Sequence, residues 1–136
     1  MDSHLCRVLL VDDHDLMRKT LRQLLESYES VEIVAEARDG EEAVIGVAAF
    51  QPEIILMAIN MPRMNGIQAT TVIKKSRKET SIIGLCLVHD TYTVEAFLKA
   101  GGLAVISKDR LEDLRSTLQR ACTNRSQGST DEQPPA

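Results

Sequence analysis

Apolar positions along this chain come in short solid runs, separated by longer stretches in which they recur every three or four residues. The run CRVLLV (6–11) is rich in Val and Leu and predicts a buried strand. From Asp15 the spacing of Leu16, Met17, Leu21, Leu24 and Leu25 predicts an amphipathic helix over 15–28. VEIVAEA (31–37) alternates as a strand does. DGEEAVIGVAAF (39–50) then opens with Asp39 as an N-cap and acids in its first turn, as a helix N-terminus favours. Pro52 punctuates the chain before a third apolar run, EIILM (53–57).

The second half repeats the rhythm. GIQATTVIKKS (66–76) reads as a helix, although Thr70, Thr71 and Val72 lower its propensity. SIIGLCLV (81–88) is a continuous apolar strand, and TVEAFLKA (93–100) is a short helix closed by Gly101 and Gly102. LAVIS (103–107) predicts a fifth strand and LEDLRSTLQRAC (111–122) a last helix. The polar segment 123–136 has little to bury and is expected to be a disordered tail or linker after a domain spanning 1–122. There is no internal repeat.

Five strand–helix units with nearly continuous apolar strands imply a parallel sheet covered on both faces, with right-handed crossovers. The expected fold is α/β, a doubly wound five-stranded parallel sheet in the flavodoxin-like order 2-1-3-4-5. Its switch point falls between the carboxyl ends of strands one and three, at Val11-Asp12-Asp13 and Met57-Ala58-Ile59.

Composition narrows the functions. A chain of 136 residues, 43% apolar and 26% charged, is one globular domain. A net charge of −4 argues against nucleic acid as a partner, and two Phe, two Tyr and no Trp leave no stacking platform for single strands. No apolar run is long enough to span a membrane, and the acidic start does not suit a signal peptide. A cytoplasmic protein is therefore expected. Cys6, Cys86 and Cys122, odd in number and without C-x-x-C spacing, are expected to be reduced thiols.

The candidate chemistry gathers at the strand ends. Asp12 and Asp13 follow the first strand, and two adjacent carboxylates call for a cation; hard oxygen ligands suit Mg²⁺. Lys108 follows the fifth strand at the same edge of the sheet. The stretches VLLVDDH (8–14), PEIILMAINMPRMNG (52–66), IIGLCLVHD (82–90) and KAGGLAVISKD (99–109) together resemble the response-regulator receiver domain of two-component signalling, over roughly residues 5–122.

The resemblance implies a phosphotransfer switch. Asp12, Asp13 and the backbone carbonyl of Asn60 would bind Mg²⁺, and Lys108 would contact phosphate. An Asp ending the third strand would receive a phosphoryl group from a histidine kinase or phosphotransfer protein. This chain has Ala58 at that position, and a methyl group cannot act as the nucleophile. Metal affinity is expected to be weak, with Lys108 pairing with Asp12 or Asp13 in the ion's place.

Two further switch positions depart from the pattern. Cys86 stands where such domains usually have Ser or Thr, and Val105 where an aromatic ring is common. The resemblance also implies signalling through the face of the fourth helix, fifth strand and fifth helix, around 94–99 and 111–120, and allows a homodimer. The expected function is a receiver that cannot be phosphorylated as written, and not an enzyme. The alternatives are a natural pseudo-receiver that binds proteins without phosphate and, more remotely, a haloacid-dehalogenase-like phosphatase suggested by DHD at 13–15.

Overall fold

The computed structural model describes residues 5–87 and 90–131, with side chains through 123. Five strands, β1 (Cys6–Val11), β2 (Val31–Ala37), β3 (Ile54–Ala58), β4 (Ser81–Cys86) and β5 (Ala104–Ser107), form one parallel sheet. Its order is β2-β1-β3-β4-β5, as the pattern predicts. The helices are α1 (Asp15–Glu26), α2 (Gly40–Phe50), α3 (Gly66–Ser76), α4 (Thr91–Lys99) and α5 (Leu114–Asp131).

The solid apolar runs have a simple cause: side chains alternate between two covered faces. Val8, Leu10, Ile54, Leu56, Ile83 and Leu85 pack with Leu21, Leu25, Leu114 and Leu118 of α1 and α5. Leu9, Val11, Ile55, Met57, Ile82 and Cys86 pack with residues of α2, α3 and α4, including Phe97. Each fully buried Leu or Ile contributes roughly 1.5–3 kcal/mol relative to exposure. The central strand β3 is buried along its whole length and is therefore fixed in register, from Ile54 against Val8 to Ala58 against Leu85.

Capping chemistry sets the helix starts. Asp39 is the N-cap of α2, accepting from the Glu42 N–H at 2.9 Å. Asn65 and Gln68 form a reciprocal capping box on α3. Asp90 caps α4 through the Thr93 N–H, so that helix begins at Thr91, two residues earlier than its apolar spacing suggests. Gly101 follows the end of α4 with φ +117°, which explains glycine there.

Four expectations change. The strand expected over 81–88 ends at Cys86; Leu87 lies in a bend, 57% exposed, and Val88 is outside the described residues. The helix expected over 111–122 begins as a 3-10 turn (Leu111–Asp113) and continues as α5 past Cys122 to Asp131, where a disordered tail was expected. No proline lies between Leu114 and Pro134, so nothing in that stretch breaks helical hydrogen bonding. The cysteines are not all reduced: Cys6 and Cys122 are joined in a disulfide across 116 residues, and only Cys86 is free. Among the described residues no helix is long and apolar enough to cross a membrane.

Candidate functional site

The carboxyl ends of β1, β3, β4 and β5 bring the sequence-predicted residues to one edge of the sheet. Asp12 follows β1 and is fully buried; its N–H donates to the Ala37 carbonyl at 3.1 Å, which extends the β1–β2 pairing and fixes the turn. Asp12 Oδ1 accepts from the His14 N–H at 3.0 Å. Lys108 lies just beyond β5, its N–H donating to the Cys86 carbonyl at 2.8 Å. Its side chain, 6% exposed, places Nζ 2.9 Å from Asp12 Oδ2. The expected ion pair is therefore present, between Lys108 and Asp12.

That pair leaves hydrogen-bonding capacity unused. Asp12 Oδ2 is ion-paired without hydrogen-bond alignment, and Asp13 Oδ1 is buried with no hydrogen-bond donor. Asp13 Oδ1 lies 3.6 Å from His14 Nδ1. Buried carboxylate oxygens without donors favour a cation. The donor set, two carboxylates beside the Asn60 loop, suits a hard divalent ion such as Mg²⁺.

Ala58 closes β3 and is 1% exposed. The loop after it is tightly held: the Gly66 N–H donates to the Ile59 carbonyl at 2.7 Å, and the Ile59 N–H to the Leu85 carbonyl at 2.9 Å. Gly66 is required here, because a Cβ on it would lie 2.6 Å from the Ala58 carbonyl oxygen and 2.8 Å from Ile59 Cα. Arg63, in the same loop, has φ +63° and pairs with Asp39 and Glu41. The loop is thus anchored to α2 as well as to the sheet. A small cavity of about 50 Å³ lies beside it, lined by His14, Asn60, Leu85, Cys86, Leu87 and Lys108.

The two switch positions are packed. Cys86 is 2% exposed, and burial first, then the Asp90 carboxylate, push its thiol up, while Lys108 acts in the opposite direction. The thiol therefore stays protonated near neutral pH and is a weak donor. Val105 packs half-buried against the cluster that holds Phe97. Two contributors were missed from the sequence. His14, directly after the acid pair, brings an imidazole to both carboxylates. Arg18, one turn into α1, donates to the Asp12 carbonyl at 2.7 Å and to Asp15 and Glu36. Their signal was a basic side chain two and six positions beyond Asp12.

Comparison with known proteins bears on the family and the fold. A family model described as the response regulator receiver domain matches residues 8–119. The transcriptional regulatory protein LiaR of Bacillus subtilis (strain 168) is 37% identical over 102 residues, 75% of this chain and 48% of LiaR. A protein-glutamate methylesterase/protein-glutamine glutaminase of Syntrophomonas wolfei is 45% identical over 67 residues, 49% of this chain and 19% of that protein. The signal receiver domain of the response regulator NarL from Mycobacterium tuberculosis superposes with a TM-score of 0.81 at 28% identity, over 87% of this chain and 97% of that domain.

The chain spans about half the length of curated relatives such as LiaR. The expected absence of nucleic acid draws no support from a relative described as a transcriptional regulator, and the expected absence of enzyme activity is not established by relatives that include a methylesterase. What the comparisons do carry is the family: this chain belongs to the response regulator receiver domains of two-component signalling.

Proposed function

We propose that this receiver domain cannot take a phosphoryl group at position 58 and acts through protein contacts on its α4–β5–α5 face. The observation that supports this most is Ala58 itself, a buried methyl group at the end of the central strand, held by the Leu85 pairing and the Gly66 turn. Aspartyl-phosphate chemistry needs a carboxylate oxygen as nucleophile. Asp12 and Asp13 are poor substitutes, since they belong to β1 and its turn, Asp12 is engaged by Lys108, and in-line attack tolerates about 1 Å of misplacement.

Asp12, Asp13 and the Asn60 carbonyl would hold Mg²⁺, weakly because one carboxylate is lost and Lys108 competes for Asp12. Bound there, the ion would supply charge neutralisation for phosphoryl oxygens. Lys108 is the phosphate-contact residue of this reading, and Cys86 and Val105 are its blunted switch positions. The receiver unit spans 1–122, with the segment from 123 as a connection, in a cytoplasmic protein that is not itself an enzyme.

The partners in this reading are a histidine kinase or phosphotransfer protein and a protein that docks on α4–β5–α5. Glu95, Lys99, Glu112 and Arg115 give that face a mixed-charge rim suited to a reversible contact or a homodimer. A natural pseudo-receiver, working without phosphate, is favoured by Cys86 and Val105, since neither supplies the hydroxyl nor the ring of a phosphate-driven switch. Acetyl phosphate with Mg²⁺ tests the reading: the protein should stay unlabelled, and an acyl phosphate on any Asp would overturn it.

A further inference from the structure

The disulfide between β1 and α5 joins two sulfurs in unequal surroundings. Cys6 opens β1 and is 4% exposed, and its N–H donates to the Ser30 carbonyl at 2.8 Å, which fixes it in the sheet. Cys122 lies in α5, is half-buried, and lines a cavity of about 170 Å³ with Tyr28, Ser30, Arg115 and Gln119. We propose that Cys122 is a thiol–disulfide exchange site, at which a dithiol reductant opens the Cys6–Cys122 bond and frees the end of α5.

Access decides which sulfur a thiolate attacks, and disulfides open to solvent are the exchangeable ones. Cys6 belongs to the core cluster that contains Leu118 and Ala121, and it does not line the cavity. The cavity is bordered by exposed Glu29, Ser30, Arg115 and Gln119, so solvent reaches it beside Cys122. Its lining carries one cation, Arg115, and one acid, Glu29, which leaves no net negative charge to repel a thiolate. The Arg115 guanidinium stands 5.3 Å from the centroid of the Tyr28 ring, a contact that holds the positive charge at the cavity.

The exchange is a two-electron reduction. A thiolate of the reductant attacks Cys122 Sγ, the bond to Cys6 breaks, and the Cys6 sulfur leaves with the electron pair. The reductant's second thiolate then attacks the reductant sulfur of the mixed disulfide and releases Cys122. The reductant ends as a disulfide and the protein as two thiols, which take up the two protons that the reductant's thiols gave up.

The opened domain keeps its fold but not its grip on α5. A sheet covered on both faces in a chain of this size does not depend on a covalent staple, and reduced Cys6 remains a small apolar group in the core. Leu114 and Leu118, 0% and 1% exposed, still anchor the first turns of α5. From Gln119 to Thr123 only Ala121 is fully buried, so the bond is the main tie on that end of the helix. Its opening places the α4–β5–α5 face under redox control, a consequence that rests on the proposed docking reading, whereas the exchange itself does not.

The test treats native protein with about 1 mM dithiothreitol near neutral pH and counts thiols by maleimide mass shift. Two thiols should appear without denaturant, with circular dichroism unchanged in kind. Reduced glutathione, quenched with maleimide, should leave its adduct on Cys122 about tenfold or more over Cys6. Amide hydrogen exchange over 119–122 should rise about tenfold on reduction, while β3 stays within about twofold. Cys122→Ser should show the faster α5 exchange without reductant. A bond that resists dithiothreitol until the protein is denatured, an adduct chiefly on Cys6, unchanged α5 exchange, or global unfolding on reduction would overturn the site. Labelling of the wild type by acetyl phosphate would remove the proposed function and leave the exchange result standing.

Discussion

Breaking the Cys6–Cys122 bond should cost this domain a large share of its stability. The bond ties the first residue of β1 to α5 and closes a loop of 116 residues. In the chain-entropy model such a loop corresponds to about 5 kcal/mol at 25 °C, and measured disulfides usually give about 2–4. Reduction adds little to oppose this, because a thiol at Cys6, 4% exposed, is a small apolar group compatible with the core of Leu118 and Ala121. A loss of about 3–5 kcal/mol is comparable to the lower end of total domain stability, about 5–15 kcal/mol. For a chain of this size it corresponds to a fall in melting temperature of about 10–20 °C. Scanning calorimetry with and without a phosphine reductant, and on Cys122→Ser without it, measures the effect. A shift below about 3 °C in both would refute the reasoning. It would mean that α5 is fixed by its apolar contacts alone.

Gly66→Ala should destabilise by about 1–3 kcal/mol or more, because its Cβ would meet the Ala58 carbonyl and the Ile59 backbone, which cannot rotate away; urea unfolding checks this. Asp39→Asn tests the acid limb of stability. The Asp39 carboxyl is held below the usual range chiefly by the Glu42 N–H, with Arg63 assisting against burial. A lowered carboxyl stabilises above its unfolded pKa and loses that contribution as pH falls through the folded value. The stability advantage of wild type over Asp39→Asn should therefore be level from pH 7 to about 5 and shrink below about pH 4, as followed by denaturant titration.

The order of the sheet was legible because each strand had to be covered on both faces, which leaves solid apolar runs such as Ile54–Met57. Asp39 was legible as a cap for a local reason, an acid at the start of a helical period. The Asp90 cap carried the same signal but stood before polar Thr91 and Tyr92, where apolar spacing is silent. Cys86 ends β4 opposite Ser107, the last residue of β5, so the apolar run beyond it had no partner strand and turned outward at Leu87. The disulfide was invisible because only the β1–α5 packing brings residues 116 apart together. At the site, the Lys108–Asp12 pair followed from two strand ends sharing one edge. The place of His14 did not, since its side chain is set by the turn into α1 and not by any periodicity.

The central claim, that Ala58 is what keeps this pocket from taking a phosphoryl group, is tested most directly by Ala58→Asp treated with acetyl phosphate and Mg²⁺. The variant should bind Mg²⁺ more tightly than the wild type, because a third carboxylate returns. It should take one phosphoryl label, stable to acid and labile to alkali, while the wild type takes none. The structural response should be small, since the Cys86 thiol donates poorly and Val105 has no ring to move. A variant that binds Mg²⁺ no better and remains unlabelled, under conditions that phosphorylate an ordinary receiver domain, would contradict the account.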